Sequence, residues 1–133
     1  FLRKSAAIVE TAPLVGHGTG SIAEEFRRLA AGEYGASGVA SVNPHNQVFA
    51  VAIQLGALGA AVLLAMWIAH FLLFRGGDPV GWIGIVVVIE NFVSSAVNSH
   101  LFDFAQGWFY VFAVGVTGGL VLRQNAKTQG VPP

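Results

Sequence analysis

The chain has 133 residues, 54% hydrophobic and only 11% charged, and its seven Lys and Arg balance seven Asp and Glu. A soluble domain carries about 25% charged residues, so a mean hydropathy of +0.64 describes a membrane protein. Zero net charge without a basic block argues against a nucleic-acid partner. The absence of cysteine excludes disulfides and thiolate chemistry.

The chain starts at Phe1 rather than Met and closes on Gly130-Val131-Pro132-Pro133, and it reads as the C-terminal part of a longer membrane protein. Glu10 interrupts the short apolar run after Arg3 and Lys4, which argues against a signal peptide. Phe1, Ile8, Val9 and Ala12 fall at helical spacing, and Pro13 stops that helix. Gly16-His17-Gly18-Thr19-Gly20-Ser21 alternates glycines and predicts a loop. Ser21 with Glu24 forms a capping box that opens a helix over Ile22 to Ala31, with Ile22, Phe26 and Leu29 on one face. Glu24, Glu25, Arg27 and Arg28 fall mostly elsewhere. Gly32 to Val42 predicts a glycine- and serine-rich loop.

Residues 46–74 are almost unbroken apolar sequence with no formal charge. As one helix they would extend roughly 43 Å, more than a hydrocarbon core of about 30 Å. Gly56 and Ala60 form a small-xxx-small pair of the kind that admits a neighbouring helix. Arg75-Gly76-Gly77-Asp78-Pro79 is a tight turn. A second span is predicted over residues 80–97 and a third over residues 105–122, with Gly115 and Gly119 in GxxxG spacing. Trp82, Trp108, Tyr110 and His70 fall where interfacial side chains belong. The fold predicted is all-α: a transmembrane helix bundle preceded by a segment of short helices and loops over residues 1–45 and followed by a tail over residues 123–133.

Arg75 follows the first span and Arg123 and Lys127 follow the third, while the turn between spans two and three has neither Lys nor Arg. The positive-inside rule therefore puts Arg75 and the C-terminus in the cytoplasm. The His45 turn and the turn Asn98-Ser99-His100-Leu101-Phe102-Asp103 then share the outer face.

His45 is the first candidate for chemistry, because an imidazole exchanges protons near neutral pH. Pro44 fixes the local backbone, and Asn43 and Asn46 stand ready to orient the ring or a sugar hydroxyl. The competing reading is a proline turn in which His45 only caps a helix. His100 and Asp103 are three apart and close enough to pair. Gly16–Ser21 leads into a helix N-terminus, a place that favours anions, although a flexible loop accounts for it as well. His17 within it shows no partner in the sequence. Arg27 and Arg28 suit either an anionic group or a solvated helix face. Glu90, Ser94 and Asn98 line a stripe on the second span, flanked by Asn91, Ser95 and Ser99. That stripe predicts a face turned to the bundle or a cavity, because ionisable groups are costly in lipid. No HExxH, acidic cluster or nucleophile elbow appears, so no metal site or acyl-enzyme is predicted.

Three motifs fall in order: Pro13-Leu14-Val15-Gly16-His17-Gly18-Thr19-Gly20-Ser21, then Asn43-Pro44-His45-Asn46, then Asn98-Ser99-His100-Leu101-Phe102-Asp103 with Gly107-Trp108-Phe109. Together, over roughly residues 1–124, they resemble the C-terminal part of the O-antigen ligase and polymerase superfamily of bacterial polytopic membrane proteins. The resemblance implies a GT-C-like glycosyltransferase in the bacterial inner membrane, independent of metal or other cofactor. It would move a glycan from undecaprenyl diphosphate to an acceptor hydroxyl in the periplasm. In ligases the acceptor is the lipid A–core; in polymerases it is another glycan unit. His45 resembles the family's essential histidine and would act as general base, with inversion at the anomeric carbon. Asn43, Asn46, His17, Arg27, Arg28, His100 and Asp103 are the candidates for substrate contact. The family's arginines for the diphosphate lie mostly upstream, and the surroundings of Arg3 put the matching one before Phe1. The implied partners are therefore the lipid-linked donor, the lipid A–core acceptor, membrane lipids and the N-terminal remainder of the same protein. The wording Gly-His-Gly-Thr-Gly-Ser and Ser-His-Leu-Phe-Asp resembles ligases more than polymerases or protein-glycosylating relatives. A transporter or structural membrane subunit, with Glu90 lining a path, is the reading from a different class.

Overall fold

A computed structural model describes residues 2–32 and 43–129. The predicted loop over 32–42 lies outside these residues except at Gly32, as do Phe1, Ser41, Val42 and the terminal Gly130–Pro133. Five α-helices run in the order α1 (Leu2–Thr11), α2 (Ile22–Ala30), α3 (Gln47–Phe74), α4 (Pro79–Ser94) and α5 (Phe104–Thr128), with a 3₁₀ turn at His100–Phe102. The protein is all-helical over the described residues. Two of the helices, α3 and α5, are long and apolar enough to cross a membrane. With 16 residues, α4 would reach about 24 Å. It stops at Ser94, short of the expected Val97. At the other end α5 runs on to Thr128, so Arg123 and Lys127 are helical rather than part of a tail.

The chain divides into two compact units, residues 1–64 with 94–99, and residues 65–93 with 100–133. In the first, α1 and α2 close over a small core of Ile8, Phe26, Leu29 and Ile53, all fully buried. The helical period brings Glu25 onto the same face as Phe26 and Leu29, and it is buried, not solvated as the sequence suggested. Ser21 does not cap α2. Its own backbone is already helical, so the hydroxyl cannot reach back to the third amide as a capping residue does from an extended conformation. Glu24 pairs instead with Arg27.

The main departure from the sequence reading is in α3, which is not one rod. At Gly56 the backbone takes φ 63°, ψ −160°, a region open almost only to glycine, and the helical hydrogen bonds across it are lost. The segment after α1 repairs them group by group. Ala57 N–H donates to the Pro13 carbonyl at 2.8 Å and Leu58 N–H to that of Leu14 at 3.3 Å. In return the Ile53 carbonyl accepts from His17 N–H and the Gln54 carbonyl from Gly18 N–H, both at 2.9 Å. Two glycines make the crossing possible. A Cβ on Gly56 would collide with the Leu14 carbonyl, and one on Gly16 would collide with the backbone of Gln54 and Leu55. Gly56 therefore admits a loop backbone, where the small-residue pair had suggested a neighbouring helix.

In the second unit Asp78 opens α4. Its Oδ1 accepts from Val80 N–H at 2.9 Å and Gly81 N–H at 3.0 Å, with Pro79 at the first helical position, where no amide is needed. Phe74 is fully buried, its ring lying against Gly84 of α4 and its tip within 3.9 Å of the space at Gly118 of α5. Trp67 donates its indole N–H to Asn91 Oδ1 at 3.0 Å and meets Phe92 edge-on at 5.2 Å. In the GxxxG stretch of α5 Gly118, not the expected Gly115 and Gly119, is the packed glycine; nothing lies within 4 Å of a Cβ on either of those two. Tyr110 is buried, its hydroxyl 2.8 Å from His70 Nδ1.

The crossing at Gly56 predicts a contrast between glycines. Gly56→Ala should destabilise by roughly 2–6 kcal/mol, the sum of a disallowed backbone conformation and an overfilled contact, whereas Gly115→Ala should leave stability unchanged or slightly raised. Thermal midpoints of the two variants in detergent check this; equal midpoints would contradict the broken helix.

Candidate functional site

Four residues before the start of α3, Asn43 folds its side chain back over the turn. Its Oδ1 accepts from His45 N–H at 2.8 Å, the Asx turn that Asn–Pro sequences favour. His45 consequently sits at φ 53°, alone among non-glycine residues of the described chain in having positive φ. Pro44 is buried beneath the turn, while the His45 ring stands exposed at the entrance to the apolar helix. Asn46 is the residue that caps α3. Its Oδ1 accepts from Phe49 N–H at 3.0 Å, satisfying an orphan amide of the first turn, which frees His45 from the capping role its position had allowed.

The stretch that leaves α4 grips this turn from the other side. The Ser95 carbonyl accepts from Gln47 N–H at 2.9 Å, and the Ala96 carbonyl accepts from Asn46 Nδ2 at 3.0 Å. Asn98 Oδ1 accepts from Asn43 Nδ2 at 3.1 Å, and Ser99 Oγ donates to Asn43 Oδ1 at 2.8 Å. Asn43, His45 and Asn46 are thus gathered with Asn98 and Ser99 in one polar cluster of the first unit.

His17 is held elsewhere in that unit. Its Nε2 is 2.9 Å from Thr11 Oγ1 and 3.2 Å from the Ile8 carbonyl. Thr11 already donates its hydroxyl to Ile8, so a proton on Nε2 satisfies both contacts. Nδ1 faces Glu25 Oε1 at 3.5 Å, and the same carboxylate meets Arg28 at 3.3 Å. The ring that showed no partner in the sequence therefore pins the glycine loop to α1 and α2. The loop amides are engaged too: Gly20 N–H donates to Gln54 Oε1 at 2.6 Å and Ser21 N–H to the Gly18 carbonyl. They point into the α3 break rather than toward an anion. Arg27 and Arg28 each face a carboxylate of their own helix, Glu24 and Glu25.

In the second unit His100 Nδ1 lies 3.5 Å from Asp103 Oδ2. Beside them Leu101, Phe102, Asp103, Phe104, Gly107 and Trp108 line an open cleft of about 440 Å³. Gly107 shapes it, since a Cβ there would meet the Leu101 carbonyl at 2.7 Å. Glu90 is exposed on α4, and Asn91 one position on is the buried polar residue. The predicted stripe is displaced by about 100° around the helix, the angle between successive residues at 3.6 per turn. Among the described residues no group of three His, Asp or Glu is gathered to hold a metal ion.

The sequence reading passed over Gln54 and Thr11 and took Asn91 only as a flank of the Glu90 stripe. The signal for Gln54 and Asn91 was a lone amide within an apolar run, where a polar side chain must find a partner; Thr11 carried no such signal. No family model, curated protein or solved structure matches the chain.

The contacts of His17 predict a structural cost on its removal. His17→Ala leaves the Glu25 carboxylate and the Ile8–Thr11 pair without the imidazole, which should cost about 1–3 kcal/mol. A lowered thermal midpoint together with faster proteolysis at residues 14–20 checks it; an unchanged midpoint would show that the loop is held without it.

Proposed function

We propose that this chain is the C-terminal part of a multi-pass glycosyltransferase of the O-antigen ligase type, with His45 as its general base. It works at the outer face of a bacterial inner membrane. The observation that carries the reading is the exposed imidazole of His45, held in a left-handed backbone conformation by Asn43 at the mouth of a long apolar helix. A residue whose backbone is kept in an uncommon conformation by a dedicated hydrogen bond suits a positioned proton acceptor.

In the proposed reaction a His45 ring nitrogen takes the proton of the acceptor hydroxyl. The hydroxyl oxygen attacks the anomeric carbon as the bond from that carbon to the diphosphate oxygen breaks, and the stereochemistry inverts. Undecaprenyl diphosphate leaves with the electron pair, its charge met by arginines supplied from the rest of the protein. Asn43 and Asn46 are held by backbone and side-chain bonds on their own turn, so their part is to fix the imidazole. The cleft beside His100 and Asp103, with the exposed rings of Phe104 and Trp108, offers hydrogen-bonding and stacking surface of the kind sugars use. The lipid-linked donor suits the exposed apolar side chains of α3, α4 and α5, such as Val62, Val86 and Phe112, since exposed apolar side chains on helices of this composition suit contact with lipid. Arg75, Arg123 and Lys127 favour a cytoplasmic location for the opposite ends.

His45→Ala in the whole protein should lower glycan transfer by about 10²–10⁴-fold while protein level holds, measured as polymer-bearing lipopolysaccharide in a strain lacking its own ligase. A cysteine at position 45 should react with a membrane-impermeant maleimide added from outside. Normal transfer by His45→Ala, or labelling only after the inner membrane is opened, would sink the proposal. Core lipopolysaccharide without polymer in the strain carrying the unaltered gene would move the reading to a polymerase or protein-glycosylating relative.

A further inference from the structure

We propose that Asn98 and Ser99 are positioning residues for His45, acting on it through Asn43. The proposal rests on the reading of His45 as the base and adds to it the device that sets the ring. Asn43 uses its whole side-chain amide: Oδ1 accepts from His45 N–H and from Ser99 Oγ, both at 2.8 Å, and Nδ2 donates to Asn98 Oδ1 at 3.1 Å. Without a partner on Nδ2 and a second donor on Oδ1, the Asn43 amide is free to rotate about its terminal torsion, which is broad for this residue. Rotation withdraws Oδ1 from His45 N–H. The left-handed conformation at residue 45 then loses the bond that opposes its steric cost, and the backbone relaxes to a conformation that aims the imidazole elsewhere.

The arrangement is one-sided in a telling way. Ser99 is buried, Asn98 and Asn43 are half-buried, Pro44 is fully buried, and the His45 ring alone is left exposed. Asn98 and Ser99 both bond the amide of Asn43, and Ser95 and Ala96 hold the far flank of the turn through Gln47 and Asn46. The segment 95–99 thus acts as a template for residues 43–47, with the reactive side chain at its centre.

The test uses the whole protein in liposomes with lipid-linked glycan as donor and lipid A–core as acceptor. Ser99→Ala and Asn98→Ala should each lower kcat by about 10–100-fold, the scale of a misplaced catalytic group, with acceptor KM changed by less than about 3-fold. Ser99→Thr, which keeps the hydroxyl, and Asn98→Asp, which keeps the acceptor oxygen, should restore most of the rate. The decisive arm is epistasis. In a His45→Ala background the same substitutions should cost nothing further, because residues acting as one unit are not additive. An unchanged kcat, or the same loss with and without His45, overturns the proposal while leaving the base in place. If neither alanine variant accumulates in the membrane, the segment is a folding element and the proposal also falls. If His45→Ala itself transfers normally, it is the base that fails, a result the other arms do not produce.

Discussion

The first unit depends on an exchange of backbone hydrogen bonds at one glycine. When a helix breaks inside an apolar segment, the carbonyls below the break and the amides above it lose their partners, and apolar surroundings supply none. Each orphaned group costs several kcal/mol if left bare. In α3 the groups at the break include the carbonyls of Ile53 and Gln54 and the amides of Ala57 and Leu58, and residues 13–18 meet these four. The glycine loop is therefore a part of α3 supplied from elsewhere in the chain. Its own regularity is lost so that these four groups keep a hydrogen bond across the break.

That exchange explains why so many other features lie where they do. Pro13 stops α1 and presents a carbonyl to Ala57. Gly16 and Gly56 lack side chains because two backbones cross there. His17 and Gln54 lock the crossing from its two sides, one to α1 and α2, the other to Gly20. Ile53, one turn before the break, is turned into the core of α1 and α2, so the short amphipathic helices pack directly on the first half of α3. The cost of removing either glycine is accordingly higher than a helix propensity scale gives.

Much of this architecture was legible in the chain and some was not. The apolar runs that became α3 and α5 follow from composition and length, as do the short helices before them, because burial of a periodic apolar face leaves a direct trace in sequence. The break at Gly56 left little trace. A lone glycine in an apolar run is common, and only the partner loop, 40 residues earlier in the chain, reveals that its conformation is forced. The face of α4 was misread for a related reason. Glu90 drew attention as the charged residue, but the chain buries Asn91, whose amide can be satisfied by the Trp67 indole, and leaves the carboxylate exposed. At the His45 turn the Asn–Pro signature pointed to a bend, yet which residue caps the helix was decided by Asn46, which takes the capping bond itself.

The division of labour among neighbouring residues at that turn bears on its chemistry. A turn that merely started α3 would need Asn46 and little else, since one side-chain oxygen satisfies the cap. Here Asn43, Pro44, Asn98 and Ser99 are added, and their combined effect is to hold residue 45 in a conformation it does not favour with its side chain outward. Nothing in helix initiation calls for that. An uncommon backbone conformation maintained by buried and half-buried polar groups around one exposed imidazole supports the proposed role of His45. The same logic separates the exposed His45 from His17, whose ring is held by Thr11, the Ile8 carbonyl and Glu25. Of these two histidines in the first unit, one is enclosed by the fold, and the other is presented by it.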